Sequence, residues 1–205
     1  GWQATLLPHE LARQLFVFAQ RHQTTLFTVM LAAFDLLLHR LTGQDDILLG
    51  TPIAGRNHPD LENVIGLFLN TVILRLDLSG DPTFEELLRR AHATTLGAYA
   101  NQDLPFERLV EEIHPDRNLH RNPLFDVLIN FFAQPEESVD ADALAWGLRN
   151  VTVQDAKLPL TFYIEQYRED IGLRLLYQPA IFSGERMQSM LAQLELILHQ
   201  IVADP

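Results

Sequence analysis

Cysteine is absent from this chain of 205 residues, so the sequence excludes a disulfide framework and a thiol nucleophile. We therefore expect a cytoplasmic protein. Positive charge is also scarce, because 15 Lys and Arg stand against 27 Asp and Glu, for a formal net charge of -12. Nucleic-acid phosphates and anionic membrane surfaces both attract basic faces. The charge balance therefore argues against nucleic acid and membranes as partners.

Several motifs that carry catalysis or ligand binding are missing as well. No histidine has a second histidine four positions away and no HExxH motif occurs, which argues against a zinc site. Neither a glycine-rich phosphate loop nor a GxSxG nucleophile motif is present. No apolar run approaches the ~18 residues that a membrane helix needs. Composition and spacing therefore identify no catalytic residue, no metal ligand and no directly bound cofactor.

The apolar segments that are present predict an α/β (α+β) fold with a mixed β-sheet flanked by helices. Helical spacing predicts helices over residues 7–23, 25–43, 81–102, 105–113 and 183–204, with Ser183 as the N-cap of the last. Runs rich in Leu, Val and Ile predict strands over residues 45–52, 67–78 and 123–132, and a pair within 151–178 that turns near residues 168–170.

Three motifs go further than composition does. They are "IGLFLNTVILR" (65–75), "NQDLPFE" (101–107) and "RNLHRNPLF" (117–125). In this order they resemble the last three signature motifs of the condensation domains of nonribosomal peptide synthetases. Residues 45–66 resemble the segment that leads into the first motif, so the resemblance covers essentially the whole chain. Leu69 and His120 depart from the usual residues, which affects the subgroup more than the membership.

The family's catalytic HHxxxDG motif does not occur in this sequence. In the family that motif lies in the N-terminal lobe, so the resemblance implies that residues 1–205 are the C-terminal lobe of a chloramphenicol-acetyltransferase-like pseudo-dimer. A first residue Gly1 in place of Met fits that expectation. Residues 51–66 resemble the floor loop of the substrate tunnel, and residues 133–148 resemble the latch that crosses to the other lobe. We expect no condensation activity from this chain alone.

The function that the resemblance implies is amide-bond formation between aminoacyl or peptidyl thioesters tethered to carrier proteins. The phosphopantetheine arms of those carriers would be substrates rather than bound cofactors. The implied partners are the N-terminal lobe, the upstream and downstream carrier proteins and the neighbouring adenylation domain. Alternatives are a non-catalytic docking or recruitment module of the same fold, an epimerisation or cyclisation relative, and a freestanding acyltransferase.

Residues of the motifs are assigned either to the tunnel or to the structure. The tunnel candidates are Asn70, Thr71, Gln102 and Asp103. For Asn70 the alternative is a structural amide satisfied by backbone, and for Asp103 the favoured alternative is a cap on the helix that begins near Pro105. Arg56 and Arg75 are expected to form structural ion pairs. The structural motif residues are Arg75, Pro105, Phe106, Glu107, Arg121, Asn122 and Pro123.

A lobe without its partner should expose apolar surface. We therefore expect the isolated chain to self-associate through that surface. Trp146, within the latch-like segment, is expected to insert into whatever surface that segment covers.

Overall fold

The computed structural model describes residues 1–56, 59–61, 63–113, 122–134 and 156–204. Within these residues it contains one six-stranded sheet and five α-helices. The strands are β1 (Trp2–Leu6), β2 (Asp46–Ile53), β3 (Asn70–Asp77), β4 (Val127–Gln134), β5 (Leu160–Tyr167) and β6 (Asp170–Tyr177). The helices are α1 (His9–Arg21), α2 (Leu26–Thr42), α3 (Phe84–Ala100), α4 (Phe106–Ile113) and α5 (Gly184–Ala203), with a 3-10 turn at Pro59–Leu61.

The sheet is mixed, with the strand order β1-β6-β5-β4-β2-β3. β4 runs parallel to both of its neighbours, β2 and β5, and every other pair is antiparallel. β1 pairs with β6, so the first strand in the sequence meets the last, with Trp2 opposite Leu176. The edges of the sheet are therefore β1 and β3.

The hydrophobic core lies on one face of this sheet. Buried apolar residues recur at every second strand position, as the side-chain period of a strand requires. The examples are Ile47, Leu49, Leu74, Leu76, Phe162, Ile164, Leu173 and Leu175. Residues from α1, α2, α3 and α5 belong to the same cluster, so these four helices pack on that face. α2 is apolar almost all round, and its Phe34 stacks on Phe162 at 4.3 Å between ring centroids.

Local chemistry sets the ends of the helices. The Ser183 hydroxyl oxygen accepts a hydrogen bond from the Arg186 N–H at 3.2 Å, which confirms the predicted N-cap of α5. Thr83 caps α3 in the same way. α2 ends at Gly43, whose φ of 70° lies in the left-handed region that glycine adopts without strain.

No single described helix is long and apolar enough to cross a membrane. α1 and α2 together meet that test by length and composition only, and they are bent by 106° at the break between them.

The predicted helices and strands are confirmed, but β1 was not predicted and two strand boundaries were wrong. Residues 67–69 lie outside β3, because pairing with β2 stops where Asn70 faces Ile53. Residues 123–126 lie outside β4, because the Asn122 Oδ1 accepts hydrogen bonds from the N–H groups of Leu124 and Phe125.

Part of the predicted latch-like segment, residues 133–148, can be placed. Residues 133 and 134 belong to β4, which runs to Gln134. Residues 135–148 lie outside the described residues, and so do Trp146, Arg121 and His120.

Candidate functional site

Asn70 opens β3, and its side-chain amide bonds only to backbone. Its Nδ2 donates to the carbonyls of Gln102 at 2.9 Å and Leu104 at 2.8 Å. Its Oδ1 accepts from the N–H groups of Thr71 at 2.9 Å and Phe106 at 3.0 Å. Because a primary amide has two donors and two acceptor lone pairs, this group is fully used. We call Asn70 and these four backbone groups the Asn70 clamp.

The clamp explains why three polar residues precede a proline at the start of "NQDLPFE". Pro105 disfavours helical geometry at the residue before it, so α3 stops at Ala100 and α4 starts at Phe106. The N–H groups of a first helical turn have no partner within their own helix. Asn70 supplies one for Phe106, and the Pro105 carbonyl accepts from the Arg108 N–H at 3.0 Å. Asn70 therefore bonds to backbone groups of the turn and of the first residue of α4.

The other predicted tunnel residues lie at the same place. Thr71 is half-buried and gives its N–H to Asn70, while Gln102 contributes its carbonyl. Asp103 and Glu107 are exposed at the turn and on the first turn of α4. The assignment of these side chains to a tunnel, and of Asp103 to a cap, stays a prediction. The fold does bring the first two motifs together, and Asn70 joins them.

The third motif reaches the clamp through aromatic packing. Phe106 meets Phe125 edge to face, with ring centroids 5.8 Å apart. Phe125 in turn lies over Gly50 of β2, where a Cβ atom would be 2.4 Å from the ring. A larger residue at position 50 would displace the ring. Asn122 holds Phe125 in place by accepting from its N–H at 3.2 Å.

The two arginines have different environments. Arg75 of β3 donates to both carboxylate oxygens of Asp46 on β2, at 2.8 and 2.7 Å. The Arg75 hydrogen bonds hold the pKa of the Asp46 carboxyl below its usual value. Arg56 donates to the carbonyls of Leu61 and Val64 and lies over the Phe68 ring, 4.4 Å from its centroid. Arg56 therefore fixes the loop before β3 through backbone groups and an aromatic face.

An apolar surface lies beside the clamp. Four of its residues lie in the loop before β3 and are exposed: Val64 is 44% exposed, Ile65 101%, Leu67 86% and Leu69 64%. Leu104, whose carbonyl accepts from Asn70, is 50% exposed. We call these five residues the apolar ridge. Adjacent exposed apolar residues of this size mark interaction surfaces.

A buried ion pair and a buried carboxyl group were missed by sequence reasoning. On the sheet face opposite the helices, Arg174 of β6 pairs with Glu165 of β5 and lies over the Tyr163 ring, 4.9 Å from its centroid. In the core, Asp35 of α2 is 1% exposed, and its Oδ1 has no hydrogen-bond partner within the described residues. Burial raises the pKa of Asp35 well above its usual value. A charged residue inside an apolar helix was the available signal for Asp35.

Among the described residues, no three His, Asp or Glu side chains gather as potential metal ligands.

The family model for the condensation domain matches residues 2–205. This chain belongs to the condensation-domain family. Among curated relatives, tyrocidine synthase 3 of Brevibacillus parabrevis is 40% identical over 190 residues, covering 93% of this chain and 3% of the synthase. Malpinin synthetase of Mortierella alpina is 36% identical over 195 residues, covering 95% of this chain and 2% of the synthetase.

Solved structures share the fold. The X-domain from teicoplanin biosynthesis, in complex with OxyB, superposes with a TM-score of 0.88 at 26% identity, covering 100% of this chain and 46% of that one. A four-domain nonribosomal peptide synthetase bound to AMP and glycine gives 0.87 at 22% identity, covering 100% and 17%. The predicted mixed α/β fold of chloramphenicol-acetyltransferase type is confirmed. The chain spans only a small part of its curated relatives and just under half of the X-domain chain.

Proposed function

We propose that this chain is the C-terminal lobe of a condensation domain whose complete form makes amide bonds in nonribosomal peptide synthesis. The observation that carries the proposal is the family match over residues 2–205 in a chain that covers 46% of a solved family member. In the reaction, the amine of one carrier-tethered aminoacyl thioester attacks the carbonyl carbon of a second thioester. A C–N bond forms, the C–S bond breaks, and the donor carrier regains its thiol.

The role proposed for this lobe is to position substrates rather than to react with them. The Asn70 clamp holds the start of β3 against the turn at residues 101–106, and we assign these two motifs to one wall of the substrate tunnel. Holding two tethered reactants in the correct geometry can lower a barrier by about 7–11 kcal/mol. The apolar ridge is the surface that we assign to the N-terminal lobe.

The remaining partners follow from the same proposal. The upstream and downstream carrier proteins present phosphopantetheine arms, and an adenylation domain adjoins the lobe in the intact synthetase. The similarity to the tyrocidine and malpinin enzymes supports these assignments. A cytoplasmic location is proposed with them, from the absence of cysteine.

Restoring the upstream half tests this proposal. The chain is co-expressed with the ~200 residues that precede it in its own gene, about one domain's length. Dipeptidyl-carrier formation is followed by intact-protein mass, with each half alone as a control. Product from the pair and none from either half supports the proposal. Turnover of two loaded carriers by this chain alone contradicts it, as does no product from a folded pair.

A recruitment module is the second candidate, because a solved relative of the same fold is found in complex with OxyB. An upstream half with an altered HHxxxDG motif, and a pair that binds a partner protein without turnover, would favour this candidate. The epimerisation or cyclisation relative and the freestanding acyltransferase stay predictions that the same product analysis separates.

A further inference from the structure

β1 forms one edge of the sheet and bonds to β6 through its odd-numbered residues. The Gly1 amino group donates to the Tyr177 carbonyl at 2.9 Å, and the Tyr177 N–H donates to the Gly1 carbonyl at 2.9 Å. At the other end, the Leu7 N–H donates to the Ile171 carbonyl at 3.0 Å. Bonding alternates along an antiparallel strand, so the residues between these pairs that face β6 are also odd-numbered.

The even-numbered residues of β1 point their backbone groups away from the sheet. These are Trp2, Ala4 and Leu6. Within the described part of the chain, β1 is an edge strand that pairs with β6 alone, and no loop or turn bond reaches the N–H or C=O groups of these three residues. β1 therefore presents a row of free donors and acceptors, the arrangement to which another strand adds.

The opposite edge of the sheet is protected. On β3, the outward carbonyl of Arg75 accepts from Thr94 at 3.4 Å, and that of Asp77 accepts from Arg90 at 2.9 Å. β3 also carries charged side chains, which discourage edge pairing. The stretch Trp2–Leu6 contains no charged residue and no proline. β3 therefore has features that normally prevent strand addition, and β1 lacks them.

We propose that the outer edge of β1 pairs with β1 of a second copy of this chain, antiparallel about a two-fold axis at Ala4. Ala4 is the middle residue of Trp2–Leu6, so an axis there pairs the whole strand. Ala4 faces its counterpart, and Trp2 faces Leu6 of the second copy, so each outward N–H meets an outward C=O. A two-fold interface must be complementary to itself, and this row satisfies that condition.

The side chains fit the same register. Leu6 is 49% exposed, and the pairing places the Trp2 ring of the second copy directly across from it. Aromatic and aliphatic residues opposite each other stabilise antiparallel pairs. On the other face Gln3 lies opposite Thr5, so no like charges meet.

The pairing leaves the apolar ridge uncovered, because the ridge adjoins β3 at the far edge of the sheet. The inference is therefore independent of the proposed function, and its test measures association rather than turnover. It also differs from the self-association expected through the apolar surface of a lobe without its partner.

Amide hydrogen exchange of the unmodified chain, measured by NMR over a dilution series, tests the register directly. The amides of Trp2, Ala4 and Leu6 should exchange at least about tenfold more slowly at the highest concentration than at the lowest. The amides of Gln3 and Thr5, bonded to β6 in every state, should not change. A chain that stays monomeric throughout, or even-numbered amides that ignore concentration, overturns the proposal.

Two proline variants separate this edge from other surfaces. Ala4→Pro removes the central outward N–H, and proline is tolerated at such edge positions. Ile73→Pro is the matched control, because Ile73 has the outward orientation of its neighbour Arg75 on β3. In sedimentation velocity, the parent chain and Ile73→Pro should dimerise with similar affinity. The dimer of Ala4→Pro should be at least about tenfold weaker. Unchanged association of folded Ala4→Pro overturns the proposal. If Ala4→Pro does not fold, the exchange measurement decides alone.

Discussion

Replacing Asn70 with alanine should lower the free energy of unfolding, because it removes the side chain at the centre of the Asn70 clamp. The substitution removes four hydrogen bonds, of 2.9, 2.8, 2.9 and 3.0 Å. At about 0.5–1.5 kcal/mol each, their loss costs about 2–6 kcal/mol. Because Asn70 is half-buried, water replaces some of the lost partners, and we expect the lower part of that range, about 2–4 kcal/mol.

Asn101→Ala is the matched control for this change. Asn101 lies in the same turn and is exposed, and its amide makes one described hydrogen bond, to the Gly97 carbonyl at 2.9 Å. Its loss should cost about 1 kcal/mol or less. Urea unfolding followed by circular dichroism gives both values, provided that the slopes agree. If Asn70→Ala costs no more than Asn101→Ala, the clamp does not hold the two segments together.

Three further substitutions test separate features of the fold. Asp35→Asn should unfold at higher urea than the parent at pH 8 and at nearly the same urea near pH 4. Because burial raises the pKa of Asp35, the folded state keeps the Asp35 proton at pH values where the unfolded state has lost it. The parent therefore loses stability as pH rises above the unfolded pKa of about 3.9. Parallel pH profiles of stability for the parent and Asp35→Asn would contradict this. Gly50→Ala should lower the free energy of unfolding by about 1–3 kcal/mol, because the new Cβ displaces the Phe125 ring. In the Phe125→Leu background the same change should cost less. Losses that simply add in the double variant would contradict the contact. Ser183→Ala should lower the free energy of unfolding by about 1 kcal/mol while Ser183→Asp keeps the cap, and equal losses in both would rule out the cap as the cause.

Helices with strong apolar periodicity and clear caps could be predicted from the sequence. α2 and α5 show this best, because Gly43 and Ser183 mark ends that the backbone geometry requires. The three motifs identified the family because they occur in order. Their contact through Asn70 could not be predicted, since spacing does not say which backbone groups a half-buried amide will meet.

β1 was missed although its signal was present. Trp2, Ala4 and Leu6 alternate with Gln3 and Thr5, the period-2 pattern of a strand. Five residues are too few for that pattern to stand out, and the partner strand β6 lies at the other end of the chain. The strand order depends on such distant pairings, which no local pattern contains. The boundary at Asn70 was misplaced for a related reason, because exposed Leu67 and Leu69 continue the apolar run of β3.

The claim that this chain is one lobe of a larger domain is tested most directly by native mass spectrometry of the chain mixed with its own upstream half. We predict a complex of the two halves in one-to-one stoichiometry, lost in the double variant Ile65→Ser, Leu67→Ser. These side chains are 101% and 86% exposed, so the variant should unfold within about 0.5 kcal/mol of the parent. No complex between two folded halves, or a complex that the ridge variant leaves intact, would contradict the claim that the apolar ridge completes the domain.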